Sequence, residues 1–579
     1  MVQSQISGQD VLDYSNKLYL SICAVRDNVD EMARLSKEDK RLVEKLVAKF
    51  NKQGAALDSR KHSKLVSICT KISAKVEMFC YNTRTSSVQL LFSRSELSGL
   101  PDSFFKNRRM RRKEGGGVQG PLMYIVTTSI LDYIPVVKLA SNEETRKQMY
   151  TAYVGRCPDN MQLLQETVLL RLKAAKVLGY ESYSELVLQD TMAKSSDSVT
   201  AFLADLEQRV SGLAQIDKDG LVALKMQDMD NRNQPYLGFH VWDNAYYSNK
   251  MTQIKYGVDS EIVRNYLPVR HVLEKVLAIY ETMLGLRMVQ KRGKARNVWH
   301  PDVEMYEVWE AADPNVFVGY IYLDLYFRAD NKPTGSGSTF HIQQGFSDTK
   351  DGYNQDSSCC PAAAVLVDLP NPASGDPADA LLSVGQTRTL VHELGHAFHI
   401  MCSKTKWSML QGTSGVEPDF VEVPSLMMEH LFTQPQVLRK LTCHYVTGEP
   451  MPEDMVQRLC DYEQQDGMSY KELLLMARYD LAIHSTRDGR IDCSRLYQQM
   501  SQCPPRLCDA AVVDHFMDGY SSLYYSYLWS SAYATRMLRT RFLAEEECTG
   551  SKIGAEYRRE ILQPSGTREA QESLNLFFS

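Results

Sequence analysis

Residues 392–396 read His-Glu-Leu-Gly-His, which places two histidines four positions apart. On a helix that spacing puts both imidazoles on one face, one turn apart, near enough to share a metal ion. Glu393 follows the first histidine, where it can reach a water on the metal as a general base. The ion such a site prefers is Zn2+, one per chain, with three protein ligands and one open position. Histidine is scarce, 12 in 579 residues, and composition alone yields this pattern in roughly one such chain in a hundred. The flanks argue against coincidence. Leu390, Val391, Leu394, Ala397, Phe398 and Met401 have the spacing of a buried helix, and no proline falls between Ala378 and Pro418.

Two histidines leave the coordination incomplete, and a third ligand is expected from a later helix. The candidate lies in Asp419-Phe420-Val421-Glu422-Val423-Pro424-Ser425. Proline is tolerated in a first helical turn, so a helix is expected to start near Asp419. Glu422 then sits near its beginning, where the dipole favours a carboxylate. Spacing alone leaves two readings of Glu422 open: a third ligand, or a helix-start carboxylate without a metal. Glu429, two turns on, is either the acceptor that holds a ligand imidazole or, the plainer reading, half of an ion pair. His399 and His430 read as core histidines.

A second chemical stretch is His515 to Trp529, HFMDGYSSLYYSYLW. Tyrosine hydroxyls beside a metal can donate hydrogen bonds to a developing oxyanion, and Gly519 would let such a loop move. The alternative is a buried aromatic helix, for which Tyr524, Tyr527 and Leu528 have the spacing.

The elements that must position these residues are mostly helical. Residues 1 to about 100 read as helix throughout, with three-to-four spacing of apolar residues. The basic run Lys106–Lys113 reads as a solvated helix end leading into Gly115-Gly116-Gly117, not as a nucleic-acid patch. Amphipathic helices fill 141–290, with Gly179 as a stop. The period then changes. Residues 316–327, 338–346 and 361–369 are rich in β-branched and aromatic side chains and predict a small sheet just before the metal helix. Helices resume from Asp376 to about 575. The expected division is 1–150, an N-terminal helical domain; 151–295, a helical wall; 296–375, a sheet region; and 376–579, the catalytic helical region.

Composition bounds the partners. With 66 basic and 71 acidic residues the formal charge is −5, too slight to favour nucleic acid or a membrane surface. No run of about 18 apolar residues predicts a membrane span. The early residues Asp10 and Asp13, with no basic-then-apolar start, argue against signal and transit peptides. Thirteen cysteines, an odd number, suit free thiols in a reducing compartment. Cys402, on the metal helix, reads as a buried inert thiol, and Cys359-Cys360 as packing or exposed thiols, not a metal site.

Taken together, HELGHAFH, the later DFVEVPSLMME and the tyrosine stretch resemble the thimet oligopeptidase and neurolysin family of zinc peptidases, relatives of the mitochondrial intermediate peptidases. Ser98-Gly99-Leu100-Pro101, NVWHPDVEMYEV at 297–308 and GYIYLDLYFR at 319–328 extend the resemblance over most of the chain from about residue 95. It implies a mainly α fold with a small β-sheet: two helical domains around a deep substrate channel, with a zincin-type catalytic core. It implies His392, His396 and Glu422 as zinc ligands and Glu393 as the base. Tyr520 and His515 would stabilise the oxyanion, and Tyr524 and Tyr527 would contact substrate. The implied activity is zinc-dependent endopeptidase cleavage of short peptides by a cytoplasmic monomer. The segment EVPSLMMEH is also similar to mitochondrial intermediate peptidase, which gives mitochondrial precursor processing as the alternative; a non-catalytic peptide-binding relative is a third reading. The chain departs from the family at Asp518, where a glycine is usual, and at Pro564-Ser565-Gly566, where a glycine pair is usual; loop mobility and terminal packing are expected to differ accordingly.

Overall fold

The computed structural model describes residues 8–106, 108–112, 121–257, 260–293, 296–328, 332, 337–347, 358–370, 380–463, 467–501, 514–517 and 519–579. Its N-terminal half realises the amphipathic periodicity as long helices. Helix α1 (Ser59–Thr85) starts at Asp58, whose side chain accepts the Lys61 amide at 2.9 Å and so satisfies one orphan donor of the first turn. It packs against α2 (Asn160–Val177). The chain leaves α2 at Gly179, whose φ of +94° is the left-handed conformation that glycine alone takes freely. Serine caps then start α3 (Tyr183–Leu188) and α4 (Ser196–Asn231).

The first 150 residues are not wholly helical. Gln89–Phe92 (β1), Met110–Arg112 (β2) and Leu122–Thr127 (β3) form an antiparallel sheet in the order β1-β3-β2. β2 lies inside the basic run that was expected to end a helix. All three of its side chains are exposed, so no hydrophobic period marks it, and backbone pairing with β3 decides its conformation. Gly115, Gly116 and Gly117 fall outside the described residues.

Helix α5 (Val269–Leu284) turns through Gly285, at φ +62°, into the main sheet. That sheet draws on β4 (Leu286–Lys291), β5 (Glu304–Glu310), β6 (Phe317–Tyr326) and β7 (Ser338–Gln343). The short pair β8 (Phe346–Ser347) and β9 (Ser358–Cys359) stands apart, and β10 (Ala362–Leu369) completes the main sheet in the order β4-β5-β6-β10-β7. The three strands expected from sequence are β6, β7 and β10. The sheet starts before residue 296, because β4 lies in the stretch read as helical wall. β10 runs parallel to β6 and antiparallel to β7, and its apolar run Ala362–Val365 is buried at every residue, as suits an interior strand. The edges are β4 and β7, and β7 alternates exposed Phe340 and Ile342 with half-buried Thr339 and His341.

Helix α6 (Val384–Cys402) lies against β10 and β7. Helix α7 (Glu422–Phe432) starts at Glu422, later than expected, after a turn over 418–421; Pro424 still falls in its first turn, where it costs no hydrogen bond. Helix α8 (Gly467–His484) packs on α4, and α9 (Ser526–Met537) packs on α7. The largest core joins α5, the main sheet, α6, α7 and α9; within it the rings of Tyr280 and Phe398 stack 4.2 Å apart. Leu390, Val391, Leu394 and Phe398 of α6 are all at or below 1% exposure. At about 1.5–3 kcal/mol for each such side chain, they offset the cost of burying the polar residues on the same helix. Among the described residues no helix is long and apolar enough to cross a membrane. The architecture is mainly helical, in two domains, with small sheets.

Candidate metal centre

α6 is held in register from its first turn. Ser383 Oγ accepts the Gln386 amide at 3.1 Å, and Gln386 Oε1 accepts the Ser383 amide at 3.0 Å, a reciprocal cap. Two turns further on, His392 and His396 project toward α7, with their Nε2 atoms 3.1 Å apart. Glu422 Oε2 lies 3.2 Å from each. Ligand atoms about 2.0–2.1 Å from one tetrahedral zinc would stand about 3.3 Å apart, so this triangle of two nitrogens and one carboxylate oxygen fits the ion in both chemistry and size. Gly395 lets the two helices come this close: a β-carbon on it would lie 2.9 Å from Ser425 Cα.

The surroundings orient each group. His392 Nδ1 lies 2.6 Å from Glu429 Oε1, which fixes the ring and turns Nε2 toward the triangle. Glu429 therefore does more than the ion pair expected of it, although Arg388 also lies 3.7 Å away. Ser425 Oγ donates to Glu422 Oε2 at 2.9 Å, and the Tyr520 hydroxyl donates to Glu422 Oε1 at 3.0 Å. Burial opposes the charge on Glu422, but His396 and His392 hold its carboxyl well below the usual carboxylate range. Burial likewise opposes a charge on His392, yet Glu422 and Glu429 raise it to about 10; a metal would have to displace that proton. Burial, reinforced by the Glu422 charge, pushes the Tyr520 hydroxyl up and keeps it a donor.

Glu393 is 6% exposed and is gripped by the edge strand: Thr339 Oγ1 donates to Glu393 Oε2 at 2.7 Å and lies 2.9 Å from the Glu393 carbonyl. A β-carbon at Gly337 would lie 2.7 Å from Glu393 Oε1, so the strand approaches the carboxylate only because that position is glycine. The tyrosines gather on the other side. The rings of Tyr520 and Tyr527 stack 5.3 Å apart, and the exposed His515 ring lies 6.2, 5.9 and 6.3 Å from Tyr520, Tyr524 and Tyr527. Of this group Tyr527 alone belongs to α9; Tyr520 and Tyr524 precede it, Tyr524 in the turn over 521–525. Asp518 falls outside the described residues.

Residues 136–578 match the description of peptidase family M3. The chain belongs to that family. This M3 peptidase is 30% identical to saccharolysin of Saccharomyces cerevisiae, over 98% of the chain and 80% of the relative. It is 28% identical to oligopeptidase A of Escherichia coli, over 97% and 82%, and 26% identical to mitochondrial intermediate peptidase of Coccidioides immitis, over 97% and 73%. In fold it is similar to a solved structure described as PZ peptidase A with inhibitor 2, with a TM-score of 0.56 at 12% identity, over 98% and 80%.

Other candidates fall away from the triangle. His399 is fully buried, and burial drives its pKa down to about 3; neither ring nitrogen has a partner among the described residues. His430 lies 3.5 Å from the Thr535 hydroxyl and is lowered by burial. His399 is a core histidine, as expected, whereas His430 is half-buried. Cys402 is fully buried, its thiol pushed up by burial to about 11, and the described cysteines are free. A second cluster, Glu143, His240 and Asp243, already holds a cation: Lys225 Nζ lies 2.9 Å from Glu143 and 2.7 Å from Asp243. Sequence reasoning missed Thr339, Gly337 and Ser425. Ser425 stands in the quoted motif, whereas Thr339 and Gly337 carry no local signal, because their partner is 54 residues away from Thr339 in the chain.

Proposed function

We propose that this M3 peptidase is a zinc-dependent endopeptidase that hydrolyses short peptides. The observation that carries the reading is the triangle of His392, His396 and Glu422, with edges of 3.1–3.2 Å, beside a glutamate locked to the edge of a sheet. One zinc ion held there supplies Lewis acidity, which makes water a usable nucleophile near neutral pH. Glu393 takes the proton from the attacking water and hands it to the leaving amine. The Thr339 hydroxyl keeps the Glu393 carboxylate in one rotamer for both transfers. Tyr520, assisted by His515, donates a hydrogen bond to the oxygen on which negative charge develops. Tyr524 and Tyr527 line the same side and contact substrate. Substrate backbone pairs with β7, whose outer side meets no strand among the described residues, whereas β10 is paired on both sides.

The two helical domains are proposed to face a channel that admits extended peptides and excludes folded ones. The enzyme is read as a cytoplasmic monomer, with the free cysteines supporting a reducing compartment. Identity of 28% to oligopeptidase A against 26% to mitochondrial intermediate peptidase supports general oligopeptide cleavage over mitochondrial precursor processing.

The test pairs metal analysis of the purified chain with cleavage of a quenched fluorescent peptide. One zinc per chain, activity abolished by a chelator and activity restored by zinc are the expected results. Cleavage indifferent to the chelator, or a chain that binds no zinc, would overturn the assignment.

A further inference from the structure

Beneath the tyrosine row lie three buried polar side chains that do not touch the metal triangle. They are Arg171 on α2 and Asp480 and His484 on α8, at 4, 1 and 1% exposure. Arg171 Nη1 donates to the Phe516 carbonyl at 2.7 Å, and its Nη2 to the Met517 carbonyl at 2.9 Å. Nη1 also lies 3.1 Å from His484 Nε2. A guanidinium can only donate, so Nε2 accepts, and the neutral ring carries its proton on Nδ1. Nδ1 lies 2.8 Å from Asp480 Oδ1. The two Asp480 oxygens in turn accept the backbone amides of Ser522, at 2.9 Å, and Tyr524, at 3.1 Å.

The relay Arg171–His484–Asp480 thus grips carbonyls before Tyr520 and amides after it. It holds a backbone that would not choose this shape unaided: Ser522 has φ +63°, a conformation that residues with side chains rarely adopt. The Ser522 hydroxyl is tied as well, 3.0 Å from Ser184 Oγ on α3. We infer that Asp480, His484 and Arg171 are positioning residues, which set the Tyr520 hydroxyl in the place where it meets Glu422 and, in turnover, the oxyanion. The inference rests on the peptidase reading proposed above.

The test uses the full-length, zinc-loaded chain. Asp480→Asn keeps size but cannot accept both amides and the imidazole proton. It is expected to lower kcat about 10- to 100-fold, the usual cost of a small misplacement, with KM changed less than about threefold and zinc content unchanged. In a Tyr520→Phe background the same change is expected to cost less than about twofold more, because the hydroxyl it positions is already gone. His484→Asn, which retains a donor toward Asp480, is expected to keep most of the turnover that His484→Ala loses. If Asp480→Asn does not fold, that histidine pair carries the same comparison. A readout free of catalysis is amide exchange in the metal-free full chain: Ser522 and Tyr524 are expected to exchange at least about tenfold faster in Asp480→Asn, with α6 unaffected. Wild-type kcat and unchanged exchange in Asp480→Asn, or losses that multiply fully with those of Tyr520→Phe, would overturn the inference while leaving the peptidase reading intact. A wild type without chelator-sensitive cleavage would remove both.

Discussion

At the scale of single residues, the proposed chemistry turns on one oxygen. Glu393 Oε2 is held by Thr339 at 2.7 Å, so its role does not depend on chance rotamers. Glu393→Gln is expected to retain one zinc per chain and to lose about 10²- to 10⁴-fold in kcat, read by metal analysis beside steady-state kinetics. Tyr520→Phe is expected to lower kcat about 10²- to 10³-fold with little change in KM, since the proposed role of its hydroxyl is to meet the charge of the transition state. Glu429→Ala acts through His392: it removes the acceptor 2.6 Å from Nδ1 and is expected to weaken zinc about 10- to 100-fold, measured by competition with a chromophoric chelator. The candidate ligand pair and candidate base were legible as a group because all three stand within five residues of one helix. Spacing alone left Glu422 undecided; the family resemblance favoured it as a ligand, and the approach of α7 shows its carboxylate at the triangle. The hold of Glu429 on His392 is the less obvious of the two roles its position allows, because charge and spacing do not say which neighbour a carboxylate meets.

At the scale of elements, the site is a contact between helices. Gly395 and Ser425 sit where α6 and α7 come closest, so that a β-carbon added to the glycine would stand 2.9 Å from Ser425 Cα. Gly395→Ala is expected to push the helices apart at a cost of about 1–3 kcal/mol and to loosen the triangle. Both effects are checked together by thermal unfolding with and without zinc. Just before α7, Asp419 accepts the Met192 amide at 2.7 Å, the Ala193 amide at 3.1 Å and the Tyr525 hydroxyl at 2.9 Å. One buried carboxylate thus joins the start of the ligand helix to the turn that carries the tyrosines. The family's glycine pair before the last helix offers a parallel case. Ser565 stands at the first of those positions with φ +47°, a left-handed angle normally left to glycine. Its hydroxyl donates to the Gly412 carbonyl at 2.9 Å, and Gly566 backs onto Gly415, whose carbonyl would meet an added β-carbon at 2.3 Å.

At the scale of the whole molecule, the site lies between a sheet edge and a tyrosine row that belong to distant parts of the chain. β7 contributes Thr339 and a strand edge that pairs with no other strand among the described residues, while α2 and α8 support the tyrosines from beneath. A peptide must be extended to add to β7, and a folded protein cannot present one. Peptides of about ten residues (roughly 33 Å when extended) are therefore expected to be cleaved, whereas internal bonds of a stably folded protein are expected to resist. Mass spectrometry of both digests reads the difference, and rapid internal cleavage of the folded substrate would count against the channel.

By itself the sequence determined the local elements: the helix through HELGH, the strands at 316–327, 338–346 and 361–369, the stop at Gly179, and the residue types able to hold zinc. These follow from periodicity, capping and side-chain chemistry, which act over a few residues. Tertiary structure alone decided that β2 is a strand, that β7 and not β10 is an edge, and that Thr339, Glu429 and the Arg171–His484–Asp480 relay touch the groups they do. Pairing and burial across dozens to hundreds of residues set those contacts, and no local period records them.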